Sequence, residues 1–243
     1  MSLDSINTVA TNLDALSEQY RAIANNLANS NTAGFKKNVN SFRNILNNAV
    51  AGQATSKAAS IKNDVGIDFS SGAMLQTDRR LDLAIDGEGF FTVNTAKGPV
   101  YTRAGSFTLN NNGMLVDRQG QIVSSDTGPV TIPQNVDVSE VTIASDGTIS
   151  AREEILGKLR ITNFADTSQL RSIGAGNFVS TVGAQQAPAD NVKIVQGYSE
   201  QSNVNAVEEL VNLIRVSRLY EANAKTISMN DDRTDSLLRI ANN

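Results

Sequence analysis

The sequence predicts a mainly β central domain, an antiparallel sandwich or barrel-like sheet, flanked by N- and C-terminal α-helices that pair in a coiled-coil-like layer. Three observations predict it. Near the start, Ile6, Val9, Leu13, Leu16, Tyr20, Ile23 and Leu27 recur at alternating spacings of three and four. Near the end, Ala206, Leu210, Leu213, Ser217, Tyr220, Ala224 and Ile227 do the same. That spacing draws a narrow apolar seam along one helix face. Between the seams the chain is rich in Thr, Val, Gly, Asn and Ser, in short apolar runs separated by Asx-Gly turns, the pattern of strands and hairpins.

The first helix is expected over residues 3 to about 28, roughly 37 Å long at the usual rise. Asn29-Ser30-Asn31-Thr32-Ala33-Gly34-Phe35 stops it, because Asn and Gly tolerate left-handed backbone. A helical pattern returns over Val39–Val50, with Phe42, Ile45, Leu46 and Ala49 on one face. Ala51 to Asn63 has little periodicity and reads as a connector.

The β region is expected from Val65. Leu81–Ile85, the turn Asp86-Gly87-Glu88-Gly89 and Phe90–Val93 form one hairpin signal. Ser106–Leu109, Asn110–Gly113 and Met114–Val116 form a second, and Val141–Ala144, Ser145–Gly147 and Thr148–Ser150 a third. Leu159–Phe164 adds a strand, Ser180–Ala189 reads as a loop, and Val192–Gly197 as a return strand. Several short strands with such turns favour antiparallel sheets over a βαβ layout. Ser202-Asn203-Val204-Asn205 can cap the last helix, with Glu208 and Glu209 suited to its positive first turn. The organisation that follows is a terminal helical part, residues 1–50 with 198–243, a connector, 51–64, and a β-rich domain, 65–197.

Composition narrows the function. The 243 residues carry 21 basic and 25 acidic side chains, a net charge of −4, and no basic block long enough to track a phosphate backbone, so nucleic acid is not an expected partner. There is no Cys and no His. Disulfides, thiolate metal sites, Ser-His-Asp triads and HExxH zinc sites are therefore excluded. No apolar run approaches the ~20 residues that span a bilayer, so no membrane insertion is expected. Met1 to Leu16 has neither a basic n-region nor a continuous apolar core, so no cleaved signal peptide is expected.

No catalytic, cofactor-binding or metal-ligating residue is expected. Asp82, Asp86 and Glu88 cluster in sequence but lack the order of an EF-hand loop, and ordinary turn chemistry accounts for them. The glycines at 87 and 89 have no Lys-Ser/Thr after them, so they form no phosphate loop. Lys36-Lys37 and Arg79-Arg80 read as solubilising surface pairs or weak inter-subunit ion pairs. The seams carry the strongest signal. Burying a full apolar side chain gives about 1.5–3 kcal/mol, whereas ordering each residue costs ~1–2 kcal/mol. Seven narrow positions therefore fall short of holding a long isolated helix, and cover from neighbouring copies supplies the rest. Asn25, Asn26 and Asn223 suit close polar contact between helices. The assembly residues expected are Ile6, Val9, Leu13, Leu16, Tyr20, Ile23, Leu27, Leu210, Leu213, Tyr220, Ala224 and Ile227.

Three blocks of this sequence resemble one family. Ala24-Asn25-Asn26-Leu27-Ala28-Asn29-Ser30-Asn31-Thr32-Ala33-Gly34-Phe35-Lys36 is similar to the N-terminal signature of bacterial flagellar axial proteins, the rod and hook subunits. Leu81 to Phe91, Tyr101 to Phe107 and Gly113 to Val116 resemble the family's central block, and Gln196-Gly197-Tyr198 with Ser202 to Glu209 its C-terminal block. Within the flagellar basal-body rod proteins, the compact length, Val141 to Ala151 and the ending Asn230 to Leu238 are most similar to the proximal rod subunits. Ala28 to Phe35 and Tyr101 to Phe107 suit the distal rod equally, and there is no room for the extra outer domains of a hook protein.

The resemblance implies an inner layer of terminal helices and an outer β domain, stacked helically around a central export channel. The product is a torque-transmitting rod that crosses the periplasm. Proximal and distal rod subunits are the implied partners, as is the flagellar type III export apparatus, which answers the missing signal peptide. Phe42-Arg43-Asn44-Ile45-Leu46 is similar to the Phe-x-x-x-aliphatic element presented to that apparatus, with Phe42 and Leu46 as its two apolar positions. No cofactor is implied. Two rival classes are a soluble β-rich binding module whose helices close on each other and an enzyme with a carboxylate-only site. Independent folding of a fragment over about residues 65–195 separates the binding module from the assembly subunit.

Overall fold

The computed structural model describes residues 3–40, 65–152, 154–181, 186–187 and 192–241, with backbone alone at 3–11, 40, 65, 186–187 and 230–241. The chain is mainly β, with one helix near each end and several antiparallel sheets. It divides into two compact units. One gathers the described parts of Met1–Ala28, Asn38–Asp68 and Val204–Asn243; the other is Asn29–Lys37 with Phe69–Asn203.

In the first unit, α1 (Leu3–Ala28) and α2 (Ala206–Ala241) pack along each other. No Pro or Gly interrupts either helix. α2 starts at Asn205, whose side-chain oxygen accepts from the backbone N–H of Val207 at 3.1 Å and of Glu208 at 3.3 Å, satisfying donors that a helix start leaves open. Glu208 and Glu209 occupy the first turn, as expected from the helix dipole. Lys37–Asn40 is a strand paired with Val65–Asp68, so Val39 does not begin a helix. The reason is local: Asn26 takes the backbone N–H of Asn38 at 2.8 Å and donates to its carbonyl at 2.9 Å, which commits Asn38 to extended backbone. The remainder of the expected helix, with Phe42, Ile45, Leu46 and Ala49, and the expected connector lie outside the described residues.

In the second unit the largest sheet runs in the order Leu170–Gly174, Asn177–Ser180, Gly98–Thr102, Phe90–Thr95, Ile122–Ser125, Leu115–Val116, Thr108–Leu109. Ile161–Phe164 pairs with Phe90–Thr95 and with Gln186–Ala187, and Gly128–Pro129 pairs with Ile122–Ser125. A second sheet joins Val141–Ile143, Thr148–Ala151 and Glu154–Lys158. Lys193–Gln196 pairs with Leu83–Asp86, and Tyr198–Glu200 with Met74–Gln76. The hairpins expected at 106–116 and 141–150 form. A strand at 186–187 occupies part of the expected loop.

The hairpin expected from Leu81 to Val93 does not form. Leu83–Asp86 pairs with Lys193–Gln196, whereas Phe90–Thr95 pairs with three other strands. Both runs are buried on both faces, with Leu83, Ala84, Ile85 and Phe91 fully so. Such strands belong inside a stack, and the glycine turn passes the chain from one sheet to the other. Alternation explains the doublet. Phe91 meets Phe107 edge to face at 5.1 Å in the aliphatic core of Leu83, Ile85, Leu115, Val123, Ile149 and Ile194. Phe90 faces the other way, against Phe69, Phe164 and Phe178.

Candidate assembly surfaces

The helical pair is held by one polar anchor and a narrow apolar strip. Asn26 is buried and donates to a Glu209 carboxylate oxygen at 3.2 Å, in addition to its two bonds with Asn38. Glu209 is buried as well. An anchor of this kind is strong only when its partners are present, because a buried polar group left unmatched costs about 1–3 kcal/mol. Asn25 accepts from the Asn38 side chain at 2.9 Å, while Asn223 donates to the Leu219 carbonyl within its own helix.

Of the α1 seam, Ile23 is buried, Leu13, Leu16 and Leu27 are half-buried, and Tyr20 is exposed. Ile6 and Val9 lie in the part of α1 described by backbone alone. On α2, Leu213 and Ile227 are half-buried, while Leu210, Tyr220 and Ala224 are exposed. Among the described α2 side chains the deepest are Glu209 and Val216, the latter 3% exposed. At about 100° per residue these two sit some 50–70° round the helix from the middle of the seam 206-210-213-217-220-224-227. Two causes account for the offset. The polar anchor Glu209 is invisible to an apolar pattern, and the first turns of α2 carry apolar residues on nearly every side.

The consequence is an unclothed apolar ridge. Val207 is 71%, Val211 52% and Ile214 56% exposed, with Leu210 beside them. Their mean direction on the helical wheel is roughly 150° from Glu209 and Val216. Between the helices, Leu16, Ser17, Tyr20, Arg21, Val216, Ser217 and Tyr220 line an open groove of about 350 Å³.

The second unit carries a buried charge node. Lys36 donates to Glu200 at 2.7 Å and to the Ser70 carbonyl at 2.7 Å. The backbone N–H of Gly72 donates to the same Glu200 oxygen at 3.0 Å. Arg103 reaches the other Glu200 oxygen at 3.4 Å and donates to the carbonyls of Gly87 at 2.8 Å and Ile85 at 3.4 Å. Its guanidinium carbon lies 5.3 Å from the centre of the Phe90 ring, within cation–π range. All three charged side chains are buried. Burial pushes the Arg103 guanidinium down, against the pull of Glu200 and Glu88. Lys36 is thus no solubilising surface lysine. The segment Asn29–Lys37 is drawn in by the backbone too: Gly34 donates to the Glu200 carbonyl at 2.8 Å. Gly34 has φ +69°, and a Cβ there would fall 2.2 Å from the Ala104 nitrogen, so only glycine fits.

The acidic cluster is not a site. Asp82 is buried and bound by Arg79 through two hydrogen bonds, while Asp86 and Glu88 face solvent. Asp82 is thereby a structural carboxylate rather than a solvated turn residue. Burial pushes its carboxyl up, but the Arg79 guanidinium and the Thr77 and Ser106 hydroxyls outweigh that and hold it below the usual carboxylate range. Among the described residues no group of three or more acidic side chains is gathered as metal ligands, and no helix is long and apolar enough to cross a membrane.

Comparison with known proteins adds independent findings. Residues 84–151 match the flagellar hook protein FlgE/F/G D1 domain, and residues 195–240 match the flagellar basal body rod FlgEFG protein C-terminal region. The flagellar basal-body rod protein FlgG of Buchnera aphidicola subsp. Acyrthosiphon pisum (strain APS) is 33% identical over 95% of this chain and 96% of its own length. FlgG of Bacillus subtilis (strain 168) is 32% identical over 90% and 91%. The flagellar basal-body rod protein FlgF of Caulobacter vibrioides is 34% identical over 93% and 91%.

Proposed function

Since this chain belongs to the flagellar basal-body rod protein family, we propose that it is a non-catalytic subunit of the proximal rod that self-assembles helically through its terminal helices. The rod so formed is a torque-transmitting shaft around a central export channel. Its partners are other rod subunits, proximal and distal. The observation that carries this reading is the α2 ridge. A lone exposed apolar side chain is ordinary, but four on neighbouring turns form a patch whose burial is worth about 1.5–3 kcal/mol per side chain. In the β unit most apolar residues close on each other, although Leu75, Ile155 and Ile173 stay exposed.

The proximal position is supported by the FlgF relative and by the compact length. A distal position is the second reading, supported by FlgG relatives that match over as much of the chain. Mass spectrometry of purified basal bodies separates them: fewer copies than the other rod subunits favours the proximal rod, more favours the distal. Export through the type III apparatus into a periplasmic rod, without a cleaved signal, rests on the resemblance of the sequence. So does the role of Phe42 and Leu46 as the element presented for export.

Ile214→Asp tests the assembly reading. It places a charge on the ridge, away from the α1-facing side. The variant is expected to keep its circular dichroism spectrum and be lost from basal bodies. Incorporation at the normal level would overturn the reading.

A further inference from the structure

We infer that Lys36, Ser70, Glu200 and Asn203 form a clasp that shares mechanical load among three chain segments where force enters the β unit; its use in transmitting torque rests on the rod reading. The chain passes between the two units four times, at 28/29, 37/38, 68/69 and 203/204. Force carried along the backbone therefore enters the β unit through residues 29–37, or through the beginning or the end of 69–203.

These three segments are tied to one another inside the β unit. The Lys36 ammonium donates both to Glu200 and to the Ser70 carbonyl. Asn203 accepts from the Lys37 backbone N–H at 2.8 Å and donates to the carbonyl and hydroxyl oxygens of Ser70 at 3.2 and 3.1 Å. The Gln201 N–H donates to the Ala73 carbonyl at 2.8 Å. A Cβ at Gly72 would fall 1.9 Å from the Gln201 carbonyl oxygen, so the two backbones touch there. Gly34 bonds Glu200 and Lys37 bonds Asn203 at the same offset, so residues 34–37 and 200–203 run side by side in one direction. Both segments leave the unit at that end. Arg103 anchors the other Glu200 oxygen to the carbonyls of Ile85 and Gly87, deeper in the unit.

The arrangement has a mechanical consequence. A pull on one segment passes sideways through the Lys36 and Asn203 bonds to the other two. Bonds loaded together share a force, whereas bonds opened one after another each meet the whole of it. Burial strengthens the charge-assisted bonds of the node and keeps water from replacing them. Buried ions add little net stability over apolar side chains of the same size. Their placement beside the points where the chain enters and leaves the unit is thus the informative feature.

The chain contains no Cys, so thiol handles for single-molecule pulling can be placed at will. One full-length chain carries Asn31→Cys and Thr127→Cys, which loads the clasp. Another carries Lys97→Cys and Thr127→Cys, which loads the large sheet instead. All three sites are exposed. Lys36→Met is compared in both, because it cuts a tie yet leaves Glu200 the Gly72 N–H and Ser70 the Asn203 amide. Forced unfolding reads the unfolding rate. With two charge-assisted bonds lost, that rate at fixed load is expected to rise about tenfold for the 31/127 handles. For the 97/127 handles it should rise less than about twofold. Asn203→Ala removes the other ties and repeats the comparison should Lys36→Met fail to fold. An equal rise in both pulling directions would overturn the inference and leave the node a stabiliser of the whole fold. An unchanged rate for the 31/127 handles would also overturn it, since the tie would carry no load. Both measurements use the isolated chain, so they hold or fail separately from the copy counts in basal bodies that test the rod reading.

Discussion

The two units of this chain solve the problem of burial differently. In the β unit the aromatic residues interlock edge to face, with centroids 4.8–6.1 Å apart, and the charges of Lys36, Arg103 and Glu200 compensate one another inside. In the helical unit the apolar residues are as frequent, yet Val207, Val211, Ile214, Leu219 and Tyr220 stay exposed. The β unit closes most of its apolar side chains on a core, with Leu75, Ile155 and Ile173 left exposed, whereas the helices expose apolar residues on successive turns of α2. A subunit of an assembly needs that division: one part fixes the subunit's shape, the other holds interaction surface in reserve.

The largest expected effects test the completeness of the β unit. A fragment of residues 29–203 retains Lys36, Arg103 and Glu200 and both strands of the 74–76 and 198–200 pair. It should unfold cooperatively in urea. A fragment of residues 65–195 loses Lys36, Glu200 and the partner of Met74–Gln76, and leaves Arg103 without its carboxylate. It should show no cooperative transition, so folding of that shorter fragment, expected from the sequence to separate an assembly subunit from a binding module, does not separate them; folding of 29–203 replaces it. In the full chain, Glu200→Ala leaves two buried cations uncompensated, a loss of about 3–5 kcal/mol, read as a lower urea midpoint of the β signal. Lys36→Met in that background should recover part of the loss. An equal midpoint for Glu200→Ala and the unaltered chain would mean that the node is solvated and the β unit is not closed as described.

Much of this division was legible in the sequence. Helix α1 runs from Leu3 to Ala28 as its spacing implies, Asn205 caps α2, and the two hairpins with Asx-Gly turns at 112–113 and 146–147 form. These features depend on residues close in sequence. What escaped depends on partners far away. Leu83–Asp86 and Phe90–Thr95 look like a hairpin because their connecting turn is short, but Leu83–Asp86 takes a partner more than a hundred residues distant and Phe90–Thr95 pairs with three other strands. Lys36 looks like half of a surface pair until Glu200, 164 positions on, is brought beside it. On α2, six apolar residues between Val207 and Val216 point in nearly every direction, so periodicity alone leaves open which side α1 covers. The buried Asn26–Glu209 bond makes that choice, and polar anchors have no period.

Within the helices the comparison narrows to two residues, two positions apart and on nearly opposite sides of α2. Val216 is buried and Ile214 is not. Val216→Ala removes two buried methyl groups and should cost the helical pair about 2 kcal/mol, followed as a shift in the 222 nm melt of the monomer. Ile214→Ala removes more carbon yet should move the same melt by less than ~0.5 kcal/mol, because the site is open in the monomer. Its effect should be felt in incorporation into basal bodies instead. If Ile214→Ala destabilised the monomer as much as Val216→Ala, the ridge would already be covered within one chain.

A smaller effect comes from Asp82, the buried carboxylate at the edge of the β unit whose partner Arg79 is largely exposed. Arg79 and two hydroxyls hold the Asp82 carboxyl below its ordinary value in the folded chain, while in the unfolded chain it titrates near 3.9. The folded form therefore binds this proton less tightly than the unfolded one. Its stabilisation is fully present above about pH 5 and fades as pH falls through the folded value. Asp82→Asn, which keeps the shape and loses the charge, should cost about 1 kcal/mol at pH 7. Urea midpoints of the two chains should converge below about pH 4. A gap that stayed constant down to pH 3 would assign the cost to packing of the amide rather than to the ion pair. In that case the charges of the β unit would matter only at the Lys36–Glu200–Arg103 node, where water is excluded, and not at its rim.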